Sequence, residues 1–378
     1  MRVDFNSSEG ASLGVELEVS IVDRTTRALS TAACEILASL QDDAGGEHPK
    51  VKHELFQCTL ELVTGICATA GEARADLQES LDEIRAAAGP EGLDIMSAGT
   101  HPFSHWQDQA ISPEARYRDL VERIQWPARR LATYGTHFHV GVRGSGKVVP
   151  INNSLAAHLP LFLALSAASP YWHGLDSGMA SCRTKVFESL PTAGLPPPLR
   201  DWQDFEQLME TLITADAITS IREVWWDVRP HPDFGTVELR MCDAMPTLTE
   251  VAALAALAQC LVADLDERLD RGERLPGARE WVVRQNKWVA SRFGVEAELI
   301  VDDSGARRST RTLVDELVAS LTPTARRLGC VDELGHVRAI AHEGPSYVRQ
   351  RRVVEQGGSM LDVVDVLVAE LASGDVSR

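Results

Sequence analysis

The chain lacks the even, closely spaced cysteines of a disulfide framework. Its 7 cysteines are odd in number and scattered, and no two of them form a C-x-x-C pair. This usage is typical of a protein kept reduced in the cytoplasm. Basic residues are also scarce, because 37 lysines and arginines stand against 55 acidic residues and leave a formal net charge of −18. Nucleic acids and anionic membrane surfaces attract basic proteins, so the charge argues against both as partners.

Long apolar runs and targeting segments are missing as well. The most apolar run, VAALAALAQCLVADL from Val251, looks too short and too interrupted to cross a bilayer, which takes about 20 residues. The opening MRVDFNSSEG has no apolar signal core. The composition is that of an ordinary globular protein, 44% hydrophobic and 24% charged over 378 residues. We therefore expect a soluble cytoplasmic protein with a single domain across residues 1–378.

Apolar periodicity divides the chain into strands and helices. The predicted strands are 13–22, 54–64, 93–99, 136–142, 222–229 and 235–242. The predicted helices are 71–88, 114–133, 153–168, 204–219, 247–271, 279–292, 312–328 and 359–372. Because the two kinds of element mix without a regular βαβ order, we predict an α+β fold with a mainly antiparallel sheet covered by helices.

The stretch LGVELEVSIV, residues 13–22, alternates as a half-buried strand does. Val15, Leu17 and Val19 fall on one face. Glu16 and Glu18 fall side by side on the other face. Taken alone, such a pair of carboxylates is more typical of a strand face turned to water.

Two later strands repeat the pattern with other polar residues. In THFHVGV, His137 and His139 share one face, and histidine is the commonest metal ligand in proteins. In TVELRMCD, Glu238, Arg240 and Cys242 share a face. Each pattern alone also fits a role without function. The two histidines could be structural, and the glutamate and arginine could form a surface ion pair that contributes little to stability.

A fourth stretch, HELFQCTLELVT, adds Glu54 and Glu61. The odd spacing between them places these residues on opposite faces of a straight strand. The chain must therefore bend or bulge between them if both are to face one site.

One face of the sheet would then carry several glutamates, two histidines and an arginine. Carboxylates crowded in this way repel one another unless a cation lies among them. Oxygen ligands with few imidazoles favour Mg²⁺ or Mn²⁺ over zinc. An arginine among carboxylates suits contact with a phosphate or carboxylate of a substrate.

The segment GVRGSGKV, residues 141–148, imitates a phosphate-binding loop of the form G-x-x-x-x-G-K. Val148 stands where the magnesium-binding hydroxyl belongs, and no βαβ unit surrounds the segment. We predict a plain strand-to-helix turn at this place.

Together these stretches resemble the glutamate–cysteine ligase type 2 family of ATP-dependent carboxylate–amine ligases. The resemblance covers about residues 10–372 and rests on LGVELEV, LELVTGIC, AGTHPFSHW, RYRDLVER, GTHFHVGV, LALSAASPYWHGLDSGMASCR, WWDVRPHPDFGTVELRMCDAMPTL and RQNKWVASRFGVEAELI. It implies a curved catalytic sheet similar to that of glutamine synthetase, in which the acids and histidines hold metal ions.

The resemblance also implies roles for individual residues. A metal near the amino-acid substrate would be held by Glu18, Glu54 and Glu61. A metal near the nucleotide would be held by Glu16, His137 and Glu238. His139 would lie by the ATP phosphates, Arg240 by the transferred phosphoryl group, and Arg183 and Arg229 by a substrate carboxylate. For Asn286 and Lys287, in the RQNKW motif, the resemblance supplies no role.

The implied activity is ATP-dependent joining of the glutamate γ-carboxylate to the amine of cysteine or of another small molecule, with Mg²⁺ or Mn²⁺. Two alternatives use the same residues: a metal-dependent hydrolase that needs no ATP, and a relative that binds nucleotide without catalysis. We expect a homodimer, the commonest assembly of soluble oligomers.

Overall fold

The chain folds into strands and helices in a computed structural model that describes residues 2–41, 46–374 and 376. Its strands are β1 (Leu13–Asp23), β2 (Val51–His53), β3 (Thr59–Val63), β4 (Leu93–Met96), β5 (Gly135–Gly141), β6 (Tyr171–Trp172), β7 (Leu175–Asp176), β8 (Val228–His231), β9 (Thr236–Asp243), β10 (Glu298–Ile300) and β11 (Arg307–Ser309). Its helices are α1 (Ala33–Ser39), α2 (Ala70–Ala88), α3 (Ala115–Ile124), α4 (Trp126–Arg129), α5 (Ser145–Ala156), α6 (Leu159–Ser166), α7 (Arg183–Phe187), α8 (Trp202–Thr214), α9 (Leu248–Asp270), α10 (Glu280–Phe293), α11 (Thr310–Leu328), α12 (Val331–Glu343), α13 (Ser346–Glu355) and α14 (Met360–Ser373).

The main sheet is antiparallel throughout its seven strands in the part of the chain described above. Its order is β2-β3-β1-β5-β9-β8, and β4 pairs with the second half of β1. Two separate hairpins, β6-β7 and β10-β11, lie outside it. The predicted α+β class with a mainly antiparallel sheet is confirmed.

Strand β1 shows why the sheet has two unlike faces. Leu13, Val15 and Leu17 are at most 1% exposed and face the side covered by α2 and α9. Glu16 and Glu18 point the other way because successive side chains of a strand alternate. A slip of one residue would bury both carboxylates in the core, so the apolar face fixes the register.

Helix α9 is the core helix beneath the sheet. It begins at the N-cap Thr247, whose hydroxyl accepts the Glu250 N–H at 3.1 Å, as its sequence predicts. Its 23 residues match the predicted helix 247–271 closely, but the expectation that its apolar run is too short to cross a bilayer is wrong, because by length and composition the helix could do so. Its most apolar window is 89% buried inside the protein, however, which is the state of a core helix.

Residues 54–64 do not form one bent strand as predicted. β2 ends at His53, a turn follows, and β3 begins at Thr59 and runs back alongside β2. This turn brings Glu54 close to Glu61. A reversal of the chain, and not a bend or bulge within one strand, therefore places the two carboxylates together.

Two predicted helices are interrupted at prolines. Residues 114–133 divide at Gln125 into α3 and α4, since Pro127 has no N–H to continue the helical ladder. The helix predicted at 153–168 begins earlier and breaks before Pro160, where α5 and α6 meet at a bend of 60°.

Other boundaries differ more simply. The strand predicted at 222–229 begins only at Val228. Helices α1, α7, α12 and α13 were not predicted. Their lengths of 7, 5, 13 and 10 residues leave few turns in which a period can be read.

The GVRGSGKV segment is a strand-to-helix turn, as predicted. α5 begins at Ser145 directly behind β5. Lys147 Nζ lies 2.5 Å from Asp270 Oδ1 and 3.2 Å from Asp266 Oδ1, both at the end of α9. Arg143 pairs with the same two carboxylates. Both basic side chains are therefore paired with the end of α9.

Replacing Lys147 by Met should therefore leave nucleotide affinity unchanged. We expect the free energy of unfolding to fall by only about 0–1 kcal/mol, the usual value of a partly exposed ion pair. Urea unfolding and nucleotide titration of the purified variant check both statements. A large loss of nucleotide affinity with intact stability would show that the segment binds phosphate after all.

Candidate active site and metal centre

Four neighbouring strands place their polar residues in one row on the face of the sheet opposite to α2 and α9, which we call the open face. Glu18 of β1 lies opposite Glu61 of β3, and Glu16 lies opposite His137 of β5. The next pair along the row is His139 with Glu238 of β9. Residues directly opposite one another in an antiparallel pair share a face, so the register alone brings these groups together.

The first group consists of Glu16, His137 and Glu238. One ligand atom from each lies within 4.8 Å of the others. His137 Nδ1 is 2.8 Å from Glu16 Oε2. His139 stands beside the group, with Nε2 at 3.3 Å from Glu16 Oε1 and 3.8 Å from Glu238 Oε1. This group unites the three residues predicted for the nucleotide-side metal.

The second group consists of Glu18, Glu54 and Glu61, again with one oxygen from each within 4.8 Å of the others. The Gly135 N–H donates to Glu18 Oε2, and the Leu55 N–H donates to Glu54 Oε2 at 2.9 Å. These backbone bonds orient two of the three carboxylates. The group unites the residues predicted for the substrate-side metal.

The negative charge of the second group is not offset by its surroundings. Burial raises the pKa of Glu18 to about 8, with a further rise from Glu54 and a smaller lowering by Arg183. Burial also raises the pKa of Glu54. Burial, followed by repulsion from Glu16 and Glu54, holds the pKa of Glu61 well above its usual range.

The first group is balanced by neighbouring positive charge. Burial by itself would raise the pKa of Glu16, but His139 and hydrogen bonds from the imidazoles hold it well below its usual range. Burial of Glu238 is likewise outweighed by Arg229 and then Arg240, so its pKa is also low.

The donor chemistry of both groups fits divalent cations. Glu18, Glu54 and Glu61 offer oxygen alone, which suits Mg²⁺ or Mn²⁺. His139 Nε2 is buried and lies 3.3 Å from Glu16 Oε1, but it makes no well-aligned hydrogen bond, and a ligand that met this atom would satisfy it better. The residues present are thus suitable metal ligands, and their metal-binding roles remain a prediction.

A bulge in β9 places Arg240 in the site. Thr136 pairs with Cys242 and Phe138 with Leu239, so β9 has one extra residue opposite His137. Arg240 donates from Nη1 to Glu238 Oε1, and its guanidinium stays among the acids of the first group.

The same bulge corrects one expectation. Cys242 was predicted to share a face with Arg240, but it lies opposite Thr136 and packs in the hydrophobic core. Beyond the bulge the alternation is reversed, and Asp243 comes to lie opposite Gly135 on the open face. Alternation along the sequence could not assign Asp243 to this face, because nothing in the sequence marks the extra bulge residue of β9.

Arg229 is held tightly by the protein itself. Its Nε donates to Glu238 Oε2 at 2.6 Å, and its Nη1 donates to the carbonyls of Arg222 and Val224 at 3.1 and 2.7 Å. These contacts make it a partner of Glu238. Its predicted contact with a substrate carboxylate remains a prediction.

Arg183 lies against the backbone of Gly135, on the far side of Glu18 from Glu61. A Cβ at Gly135 would stand 2.1 Å from Arg183 Nη2, so only glycine admits this guanidinium. Arg183 Nη1 lies 4.0 Å from Asp243 Oδ1. Asp243 in turn accepts from the Ala168 N–H and the Ser169 and Ser181 hydroxyls, which makes it an anchor that the sequence did not indicate.

Two cavities adjoin the row at opposite ends. One, of about 390 Å³, lies beside Glu16 and His139 and is bordered by Ile66 and Phe234. The other, of about 570 Å³, lies beside Glu61 and is lined by charged groups of both signs: Glu47, His48, Lys52, His53, Glu114 and Arg116.

The fold is shared with ligases of known structure. It superimposes on a glutamate–cysteine ligase from Francisella tularensis, crystallised in complex with AMP, with a TM-score of 0.67 at 13% identity over 97% of this chain and 90% of that one. A bifunctional glutathione synthetase from Pasteurella multocida gives 0.66 at 14% identity over 96% of this chain and 52% of that one. These likenesses define the fold class.

The chain belongs to glutamate-cysteine ligase family 2, whose family model matches residues 12–366. A protein of Thermobifida fusca (strain YX), provisionally named glutamate–cysteine ligase 2, is 49% identical over 99% of this chain and 94% of its own length. A protein of Frankia alni, provisionally named glutamate–cysteine ligase 2-1, is 50% identical over 99% of this chain and 98% of its own length. The family resemblance seen in the motifs is confirmed.

Replacing Glu61 by Gln should stabilise the metal-free protein and abolish stabilisation by metal. Burial and repulsion from neighbouring acids disfavour the ionised form of Glu61 in the folded, metal-free protein, so we expect the free energy of unfolding at pH 7 to rise in the Gln variant. Thermal unfolding with and without Mg²⁺ or Mn²⁺ measures both effects. The control is Glu298→Gln, an exposed acid on β10; an equal response to metal in all three proteins would contradict the metal site.

Proposed function

We propose that the protein is an ATP-dependent carboxylate–amine ligase that joins the γ-carboxylate of glutamate to the amine of cysteine, forming γ-glutamylcysteine. The observation that carries this proposal is the pair of ligand groups on one sheet face, Glu16–His137–Glu238 and Glu18–Glu54–Glu61, with Arg240 beside the first. The family of the chain supports the choice of ligase.

The chemistry needs a leaving group, because a carboxylate is a poor acyl donor at neutral pH. A γ-carboxylate oxygen of glutamate attacks the γ-phosphorus of ATP, and ADP departs. The amine nitrogen then attacks the acyl carbon of the acyl phosphate, and phosphate departs. Bound Mg²⁺ or Mn²⁺ would neutralise phosphate charge between the two ligand groups.

The protein's own residues bind and orient the reactants, as in other phosphoryl transfers. Arg240, only 13% exposed and already oriented by Glu238, meets the negative charge that develops on the moving phosphoryl group. His139 donates toward the phosphates from Nε2, which lies beside Glu16 without a well-aligned hydrogen bond. Arg183, held against Gly135 beside Glu18, receives a carboxylate of the acyl donor.

The cavity beside Glu16 and His139 suits the nucleotide base. Its wall includes Phe234, which is 58% exposed, and Ile66, which is 91% exposed. Exposed apolar side chains next to a charged centre offer a stacking surface for a purine. The mixed-charge cavity beside Glu61 suits a zwitterionic amino acid, which needs a cationic and an anionic contact at once.

The first test is release of ADP and phosphate from Mg-ATP with glutamate, adding single amino acids and amines in turn, with mass detection of any amide. Release that depends on cysteine and yields γ-glutamylcysteine supports the full proposal. Release with a different amine keeps the ligase and replaces the substrate. A folded, metal-loaded protein that turns over no nucleotide with any pair refutes the ligase, and hydrolysis without ATP would favour the hydrolase alternative.

Replacing Glu16 or Glu18 by Gln should reduce kcat by about 100-fold or more while the fold persists, because each carboxylate belongs to a different ligand group. Circular dichroism and thermal unfolding check the fold, and the coupled ADP assay measures kcat. Two fully active variants would mean that these glutamates merely face water.

Replacing Phe234 by Ala should raise KM for ATP by about tenfold and leave KM for glutamate unchanged, since one base–aromatic stack contributes ~1–3 kcal/mol. Phe293→Ala is the matched control, because Phe293 is an aromatic of similar exposure, 43%, outside the cavity. Equal KM values for ATP in the wild type and Phe234→Ala would place the base elsewhere.

A further inference from the structure

Lys287 is a buried cation that the proposed chemistry does not use. It lies on α10 with its side chain 3% exposed. Its Nζ is 2.5 Å from Asp227 Oδ2 and 2.6 Å from Glu188 Oε1. A buried ammonium is costly unless such partners compensate it, and here the two partners come from distant parts of the chain.

The Glu188 contact leads to Arg183. Glu188 is the C-cap of α7, and Arg183 is the first residue of that helix. α7 has only five residues, so it has little stability of its own. A bond at its end therefore limits how the whole helix, including the arginine at its start, can sit against Gly135.

The Asp227 contact leads to the other two arginines. The Asp227 carbonyl accepts the Arg240 N–H at 2.8 Å, at the bulge of β9. Asp227 is also two residues before Arg229, which holds Glu238. The Asp227 N–H is in turn bonded to the Gly194 carbonyl at 2.8 Å, so this short segment is fixed on both sides.

We propose that Lys287 is a positioning residue for the active site: through Glu188 and Asp227 it fixes Arg183 and Arg240 relative to each other across the sheet. This inference rests on the proposed function. It gives the RQNKW motif a role that its sequence did not indicate. Its neighbour Asn286 has a separate task, since its amide forms two hydrogen bonds with the backbone of Ile300.

Positioning of this kind bears on rate more than on binding of the nucleotide as a whole. Arg240 would meet only the γ-phosphate, so its displacement should weaken binding of a triphosphate relative to a diphosphate. A displacement of about 1 Å at a reacting centre lowers rates by ~100-fold. A residue that merely balanced buried charge would affect stability and leave both quantities unchanged.

The test compares four variants with the wild type. Lys287→Met removes the cation and leaves Asp227 and Glu188 uncompensated. The triple variant Lys287→Met, Asp227→Asn, Glu188→Gln removes all three charges, which protects the fold if the single change destabilises it. Lys287→Arg keeps a cation between the carboxylates. Lys185→Met is the control, because Lys185 also pairs with Glu188, at 2.9 Å, but does not reach Asp227.

Each protein is measured for thermal stability, for kcat and KM, and for affinity toward the Mg²⁺ complexes of ADP and of the β,γ-imido analogue of ATP. We expect the folded triple variant to lose ~100-fold in kcat and to lose most of its preference for the triphosphate analogue. Lys287→Arg should recover part of both, and Lys185→Met should match the wild type.

Wild-type kcat and nucleotide preference in the triple variant would overturn the inference and leave Lys287 with charge balance alone. A wild type that binds no Mg-nucleotide would overturn the proposed function and this inference with it. A wild type that binds and discriminates, with variants unchanged, overturns the inference alone.

Discussion

The register of β1 against its two neighbours is the constraint on which the site depends. Leu13, Val15 and Leu17 must face α9 and α2, and that requirement leaves Glu16 and Glu18 no alternative but the open face. The antiparallel pairing then sets Glu61 and His137 beside them. Burial of the apolar face thus determines the positions of groups that would repel one another in a free arrangement.

The two ligand groups differ in how the charge of their carboxylates is offset by neighbouring residues. The Glu16 group has histidines and arginines beside it and remains ionised. The Glu18 group has mainly other acids beside it, and its raised pKa values express the cost. A cation binding to the second group would remove a destabilising repulsion, so metal binding there would be coupled to folding stability.

The arginines depend on features that lie outside the row of acids. The bulge in β9 keeps Arg240 on the open face while the rest of the strand reverses. Gly135 makes room for Arg183, and Asp243 and Lys287 hold the segments that carry them. In the proposed reaction such preorganised cations would lose little freedom on substrate binding, and preorganisation of charge is a large part of enzyme catalysis.

Much of the site was predictable because alternation along a strand is a local property. The letters of residues 13–22, 136–142 and 235–242 place Glu16, Glu18, His137, His139 and Glu238 on polar faces without any knowledge of the fold. Arg240 followed from the same alternation, the stretch HELFQCTLELVT added Glu54 and Glu61 as candidates, and the family motifs added Arg183 and Arg229. By contrast, the turn that brings Glu54 to Glu61 and the extra residue opposite His137 are invisible to alternation, because a reversal and a bulge change faces without a sequence period of their own.

The sequence by itself determined the class of elements, the polar faces of the strands and the acids that could bind metal, since these follow from side-chain spacing along one strand. Only the tertiary structure decided which strands are neighbours. It placed Cys242 on the core face and Asp243 on the opposite face of β9, and it joined two distant segments through Lys287. Those outcomes depend on contacts between residues far apart in the chain, and no local pattern records the packing that brings them together.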